Sequence, residues 1–366
     1  MGELEFCNIC FFLRGQACKK EVRTLRLGSD MGIDLGTASV LVYLRSKGIV
    51  LNEPSVVAIE QESHRVLAVG SSAQKMIGRT PGNIVAIKPL WEGVIADFDV
   101  TEIMLRHFIS FVSDRRRLLR PRVVVCIPAA TTIVEQKAVI EAILRSGARE
   151  AFLIEEPRAA ALGAGLDIFQ PSGYMVIDIG GGTTDIAVIS LGEPVVIESV
   201  RVGGGKFDEA IVRHVKKEFN LLLGERTAEE LKIEVGTAFP GSRRLETEVR
   251  GRDMITGLPR SLVINSDQVL EAVQDPLDDI IRCVRHVLEQ TPPELAGDII
   301  DHGIVLTGGG ALLDGLDKLL SKETGVNVHL AEQPVECVAK GTGKALEQLD
   351  MLQDTLITPK KLAADL

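Results

Sequence analysis

Two aspartates, each opening a glycine-rich turn between short apolar runs, are the residues of this 366-residue chain best suited to chemistry. Asp178 begins the run Asp-Ile-Gly-Gly-Gly-Thr-Thr-Asp, which ends at Asp185. Tyr174 to Ile177 precedes the turn and Ile186 to Ile189 follows it. Both runs are short and rich in β-branched residues, so both read as strands. Gly180, Gly181 and Gly182 leave the hairpin tip without side chains, and bare backbone N–H groups can approach phosphate oxygens closely. The carboxylate cannot itself bind phosphate. It can hold a Mg²⁺ ion, usually through water, that bridges to phosphate. Thr183 and Thr184 add hydroxyls that either meet the phosphate or bond the turn itself, and Asp185 is equally suited to capping the hairpin.

A single glycine turn is as readily a tight structural corner. Repetition shifts the balance. Asp34-Leu35-Gly36-Thr37-Ala38-Ser39 has the same plan, followed by the apolar run Val40 to Leu44, and Asp34 stands 144 positions before Asp178. Self-similarity at that distance predicts two related halves, each offering a phosphate hairpin to a cleft between them. A third turn, Thr307-Gly308-Gly309-Gly310-Ala311, follows the strand Ile304 to Leu306 and leads into an expected helix at Leu312 to Leu320. Helix N-termini bind anions.

Several elements must hold these turns in place. Val56 to Ile59 and Val66 to Val69 read as strands, and a helix starts near Asp99 or Thr101 with Ile103, Met104, Phe108 and Val112 as its apolar positions. Strand Val123 to Ile127 is stopped by Pro128, and Thr131-Thr132 opens a helix. Glu135 there has two readings. Thr132-x-x-Glu135 is a capping box, which ties down the helix start; alternatively, Glu135 faces the cleft and orients the water that attacks a terminal phosphate. Ala159, Ala160, Ala161, Gly163 and Ala164 permit close helix packing in a crossing between the halves. Gly203-Gly-Gly-Lys206 opens another helix, and Glu225 to Ile233 a further one. In the latter, Glu229 and Lys232 share one face, the spacing of an ordinary surface ion pair. A β-rich stretch (Leu245 to Ile264) and one long helix (Val269 to Leu288) follow.

Apolar residues are 45% of the chain and charged ones 25%, as in a soluble globular protein. Aromatics are only 4%, so the cores must be aliphatic. A net charge of −10 argues against a broad nucleic-acid-binding face. Six scattered cysteines, at 7, 10, 18, 126, 283 and 337, include one C-x-x-C with no second pair at zinc spacing. They read as reduced thiols, as in cytoplasm, and no apolar run reaches the length that spans a bilayer.

Strand, Asp hairpin, strand, twice over, with a late Gly-Gly-Gly turn, resembles the actin and heat-shock-chaperone ATPase superfamily. The likeness sharpens along the chain. Gly32-Ile-Asp-Leu-Gly-Thr-Ala, Leu51-Asn-Glu-Pro-Ser-Val-Val-Ala, Gly78-Arg-Thr-Pro-Gly-Asn-Ile, Gly93-Val-Ile-Ala-Asp-Phe, Gly224-Glu-Arg-Thr-Ala-Glu-Glu and Thr291-Pro-Pro-Glu-Leu are similar to the MreB/Mbl family of bacterial actin-like rod-shape proteins. The resemblance runs from about Met31 to about Leu346.

It implies an α/β, actin-like fold of two similar domains, each with a large and a small subdomain, around a nucleotide cleft. Residues 31–170 would form the first domain (small subdomain about 58–90) and 171–339 the second (small subdomain about 206–269), with 340–366 returning to the first. It further implies ATP and Mg²⁺ as ligands. Asp34 and Asp178 would hold the hydrated ion. Gly36, Thr37, Ala38, Ser39, Gly180, Gly181, Gly182 and Thr183 would cradle phosphates. Glu229 and Lys232 would contact the adenosine, Glu230 and Leu231 would bind nucleotide beside them, and Gly308, Gly309 and Gly310, with Ala311, would close the adenine and phosphate pocket. Glu135 would be catalytic, with Thr183 helping to position the attacking water. Slow ATP hydrolysis would accompany assembly of like subunits into membrane-associated filaments that organise cell-wall synthesis and maintain rod shape, with three partners implied: the chain itself in paired protofilaments, the inner membrane surface, and cell-wall synthesis and shape proteins.

In the family, the loop Arg115-Arg-Arg-Leu118-Leu119-Arg120 corresponds to a membrane contact, with arginines for anionic headgroups and Leu118 and Leu119 for insertion; read alone, it is equally a solvated loop. Residues 1–30 fit neither half. They read as an untethered extension, as the product of an upstream start codon with Met31 near the usual beginning, or as a membrane-surface anchor. Two positions depart from the family pattern: Arg158, where an apolar residue is usual, and Gly205, where Asp is usual. Other classes of the superfamily are a peptide-binding chaperone, which needs a β-rich substrate domain after the ATPase, and a small-molecule kinase, which needs a base for its substrate hydroxyl; plasmid-segregation and division actins match the motifs less well.

Overall fold

The computed structural model describes residues 30–63, 65–79, 82–113, 120–352 and 355–364. Residues 1–29, with three of the cysteines, and the expected membrane contacts Leu118 and Leu119 lie outside the described residues.

Two five-stranded sheets repeat one topology. The first comprises β1 (Met31–Leu35), β2 (Ser39–Leu44), β3 (Gly48–Pro54), β4 (Arg122–Ile127) and β5 (Glu150–Glu155), in the order β5-β4-β1-β2-β3. The second comprises β6 (Tyr174–Ile179), β7 (Thr184–Ser190), β8 (Glu193–Val200), β9 (Ile304–Thr307) and β10 (Val328–Leu330), in the order β8-β7-β6-β9-β10. Each sheet is an antiparallel three-strand meander with two parallel strands added to its first strand. Parallel neighbours need a crossover; α1 (Ile133–Arg145) supplies it between β4 and β5, and Leu316–Thr324 between β9 and β10. The duplication expected from the spacing of Asp34 and Asp178 is thus a duplication of the fold.

Each half carries a small antiparallel sheet. Val57–Glu60 is flanked by Val66–Val69 and by Ile84–Ile87, a third strand that the apolar pattern did not single out. In the second half Glu246–Asp253 is flanked by Leu221–Leu222 and Pro259–Asn265.

Among the described residues four apolar clusters pack the chain. One large core lies within each half, a third lies between the large sheets and joins the halves, and a small fourth, Val56, Ala58 and Ala73, backs the small sheet of the first half. That third core surrounds α2 (Glu156–Ala164) and α5 (Cys337–Glu347) and draws on both sheets, with Val124 and Ile154 from one and Val176 and Ala187 from the other. The small residues expected to allow close approach do so: a Cβ on Gly163 would run into the Cys337 carbonyl, and one on Gly341 into the Ala159 carbonyl. Beyond α5 the chain returns to the first half, where Ile357 bridges to Leu153 on β5 and Leu362 joins that half's core.

Two helices differ from expectation. Val269 to Leu288 is not one helix but two, Ser266–Ala272 and Gln274–Gln290, joined at Val273 with φ −95° and ψ 7°. Pro276 lies in the first turn of the second; it has no N–H to give, and its ring would clash with a carbonyl of a continuous helix. The Gly308–Gly310 turn passes first into a 3-10 turn, Gly310–Leu312, and the α-helix begins only at Leu316. Gly315 makes the break with φ 73°, where an added Cβ would sit 2.7 Å from the Phe239 Cβ.

Candidate nucleotide cleft

The three glycine turns open on one cavity of about 350 Å³. The two Asp hairpins face each other across it. In the first, Gly36 N–H donates to Ser39 O at 3.1 Å; in the second, Gly180 N–H donates to Thr183 O at 2.9 Å, the same bond at the same place. Their tips touch. A Cβ on Gly181 would lie 2.7 Å from the Ala38 Cβ, and one on Gly182 would lie 2.6 Å from Thr37 Oγ1. Glycine is therefore required for contact between the halves as well as for exposing backbone N–H groups. Gly36, Thr37, Ala38, Ser39, Gly180, Gly181, Gly182 and Thr183 all line the cavity, as do Asp34, Asp178, Gly308, Gly309 and Gly310.

The end of the cavity between the two hairpins is acidic. Asp34 is the penultimate residue of β1, opposite Leu41, and Asp178 holds the equivalent place in β6, opposite Asp185. Burial pushes Asp34 up to about 6, partly offset by the thiol of Cys126, which donates to its Oδ1 at 3.3 Å. Burial pushes Asp178 up to about 8, although Thr307 Oγ1 donates to its Oδ1 at 2.8 Å. Glu156, at the start of α2, also lines the cavity; burial and then the charges of Asp185 and Asp178 push it well up. Asp185 is raised by burial too, and accepts the Ala129 N–H at 2.7 Å, so it ties the second hairpin to the first half instead of merely capping its own turn. Sequence reasoning passed over Glu156 because an acid in the first turn of a helix reads as a dipole partner. Its burial, at 8% exposure, is the signal, and no spacing rule reveals it.

These carboxylates fit a cation. Buried acids raised by desolvation gain most from a nearby positive charge. Two carboxylates at the tips of facing hairpins are a donor set of the kind Mg²⁺ uses, since that ion keeps several waters and takes one or two carboxylates plus phosphate oxygens.

The far end of the cavity is formed by α3 (Gly204–Phe219), α4 (Glu225–Val235) and the turn after β9. Lys232 Nζ is 2.8 Å from Asp208 Oδ1 and donates to Gly204 O at 3.0 Å. Glu229 also lines the cavity, together with Ile233 and Arg243, which the sequence did not single out. Glu230 does not; it lies exposed and pairs with Arg226 at 2.9 Å. Leu231 and Ala311 are likewise absent from the lining, since both side chains are buried in the second half's core. Thr184 spends its hydroxyl on Val202 O at 2.7 Å. Gly205 donates its N–H to Gly181 O at 2.9 Å, and a Cβ there would meet the same oxygen at 3.3 Å.

Glu135 is not among the residues lining the cavity. The capping box is complete: Glu135 N–H donates to Thr132 Oγ1 at 3.3 Å, and Glu135 Oε2 accepts from Thr132 N–H at 2.8 Å. Arg158 is buried to 1% exposure; its Nη2 donates to Thr355 Oγ1 at 2.7 Å and to Glu193 Oε1 at 3.4 Å, while Nε has no partner.

A family model described as MreB/Mbl protein matches residues 28–354. The chain belongs to the MreB/Mbl family. It is 56% identical over 323 residues to the cell shape-determining protein Mbl of Bacillus subtilis (strain 168), covering 88% of this chain and 97% of that one. It is 55% identical over 328 residues to the cell shape-determining protein MreB of Escherichia coli (strain K12), covering 88% and 94%. Among solved structures, it matches MreB5 of Spiroplasma citri bound to AMPPNP with a TM-score of 0.85 at 35% identity, covering 89% of this chain and 98% of that one. The fold is therefore the actin-like one of the MreB/Mbl family, as the paired hairpins led us to expect.

Proposed function

We propose that this MreB/Mbl-family chain binds ATP with Mg²⁺ in the cleft, hydrolyses it slowly, and couples the nucleotide state to assembly into filaments that maintain cell shape. The observation that carries the reading is the meeting of two equivalent Asp hairpins over one cavity whose buried carboxylates fit a cation. The nucleotide-bound S. citri relative and the cell shape-determining names of the B. subtilis and E. coli relatives support it.

In this reading Thr37, Ala38, Gly181 and Gly182 direct backbone N–H groups at phosphates, Gly36, whose own N–H is bonded to Ser39 O, leaves the cradle open beside them, and Asp34 and Asp178 hold hydrated Mg²⁺, which would neutralise developing charge on the phosphates. Glu229 and Lys232 contact the adenosine. Glu135, with Thr183, orients water. Catalysis of this kind is mostly positioning and charge stabilisation, and slow turnover is consistent with it. The cleft divides the chain into a first domain (31–170, closed by 340–366) and a second (171–339), and nucleotide biases the angle between them and so subunit affinity. Head-to-tail contacts that do not close a ring yield filaments, here paired beneath the inner membrane, touching it through Leu118 and Leu119 and guiding cell-wall synthesis. No helix among the described residues is long and apolar enough to cross a membrane.

Pelleting and negative-stain microscopy with and without Mg-ATP, on and off lipid, test this together with phosphate release. Nucleotide-dependent filaments are expected. A monomer under every condition that still hydrolyses ATP overturns the filament claim and returns a kinase or chaperone role.

A further inference from the structure

The short hairpin Leu90–Trp91/Val94–Ile95 turns through two residues, Glu92 and Gly93, both with positive φ (48° and 80°). That is the signature of the two-residue hairpin turn that favours Asn-Gly or Gly-Gly. Glutamate is uncommon in left-handed backbone, so the turn itself does not account for its presence. The side chain's surroundings do. Glu92 belongs to the first half, yet its carboxylate lies 3.3 Å from Lys206 Nζ and 3.7 Å from Arg201 Nη1, both in the second half. Lys206 is also 3.1 Å from Glu209, and chiefly for that reason is held more firmly protonated.

Each side of this contact is wired to a phosphate hairpin. Gly93 N–H donates to Thr37 Oγ1 at 3.0 Å, and a Cβ on Gly93 would meet Thr183 Cγ2 at 3.0 Å. On the other side, the start of α3 is strapped to the second hairpin by Gly204 N–H to Gly180 O and Gly205 N–H to Gly181 O, both 2.9 Å. Lys206 is the next residue. A Cβ on Gly182 would lie 2.9 Å from the Glu92 Cα, so the turn sits directly against the second hairpin's tip.

We propose that Glu92 with Lys206 and Arg201 is an electrostatic latch that holds the two phosphate hairpins together and sets how readily the cleft opens. Glu92 acts as a positioning residue, through the hairpins. The latch is partly open to solvent, with Glu92 20% and Lys206 35% exposed, so salt weakens it. Its kinetic arm below rests on the nucleotide reading; its exchange arm does not.

The exchange arm follows amide hydrogen exchange of residues 90–97 and 201–206 in the nucleotide-free full chain. Glu92→Gln keeps the side chain's shape and removes its charge, and faster exchange in both segments is expected; unchanged exchange overturns the latch. The kinetic arm follows dissociation of a fluorescent ADP analogue. Ion pairs of this exposure change equilibria by up to about five-fold, so Glu92→Gln is expected to speed release by about that factor at low salt. Lys206→Met, which leaves the Arg201 contact in place, has a smaller effect in the same direction, and the double variant is no faster than Glu92→Gln alone. At about 1 M salt, where the screening length is about 3 Å, the wild type converges on the variants. A Glu92→Gln variant with wild-type release and wild-type salt dependence overturns the proposal. Failure of the analogue to bind at all refutes the nucleotide reading, and the exchange arm then decides the latch.

Discussion

Asp178 Oδ1 accepts a hydrogen bond from Thr307 Oγ1 at 2.8 Å, joining the opening residue of the second hairpin to the residue that begins the third glycine turn. The bond lowers the carboxyl's proton affinity, yet burial outweighs it and the group still rises to about 8.

The sign of the resulting pH dependence follows from linkage. A carboxyl raised from its unfolded value keeps its proton longer in the folded state, so between the two values the folded chain binds more protons and stability falls as pH rises. The nucleotide-free protein is therefore expected to lose stability from about pH 4 to about pH 8, over the range set by Asp34 and Asp178. Asp178→Asn flattens the upper part of that decline and removes Mg²⁺-dependent nucleotide binding. Urea midpoints from pH 5 to 9, with and without Mg-ADP, check both. A stability that climbs through this range contradicts the assignment.

Glu135 can be separated from its capping duty. Thr132→Ala breaks the cap and is expected to cost about 1 kcal/mol. Glu135→Gln retains an oxygen to accept the Thr132 N–H, so thermal unfolding stays near wild type. If Glu135 also orients water, phosphate release falls by at least ten-fold in the same variant; a Glu135→Gln protein with normal release leaves only the cap.

Arg158 is a buried cation with an unpartnered Nε; its carboxylate partners, Glu155 and Glu193, are reached by solvent, so removing the arginine leaves no fully buried charge behind, the circumstance that makes breaking a buried pair costly. Arg158→Met is expected to unfold at the same denaturant concentration as wild type or a higher one. A large loss would mean that the link through Thr355 to the C-terminal segment outweighs desolvation.

The crossing of α2 and α5 is expected to tolerate no added atoms. Gly341→Ala forces a methyl into the Ala159 carbonyl, and overpacking of this kind costs about 1–3 kcal/mol or more. Denaturant unfolding reads it; a neutral Gly341→Ala would mean that the two helices can slide apart.

The hairpins and the duplication were legible because glycine, aspartate and β-branched runs carry their meaning locally and recur at one interval. The close helix crossing was legible for a similar reason, in the small residues from Ala159 to Ala164. What escaped was decided by distant partners. Leu231 and Ala311 sit within the glycine-flanked segments that line the cavity, but neighbouring elements turn their side chains into the core. Ile233, Arg243 and Glu156 reach the cavity from positions that look like a helix end, a loop and a helix start. The break at Val273 and the delayed helix at Leu316 were signalled by Pro276 and Gly315, residues whose effect the surrounding apolar periodicity masked.

The strand β1 is covered by α5, where a Cβ on Gly32 would collide with the Thr342 hydroxyl. Some 300 residues separate the two, and at roughly 5–20 residues per second a ribosome needs on the order of 15–60 s to span them. The first sheet therefore waits, covered on this face by α2 but not yet by α5, until the residues around 340 have been made. That interval is a window for chaperones and proteases, and it makes the yield of this protein in the cell sensitive to changes in α5, far in sequence from the hairpin that β1 carries.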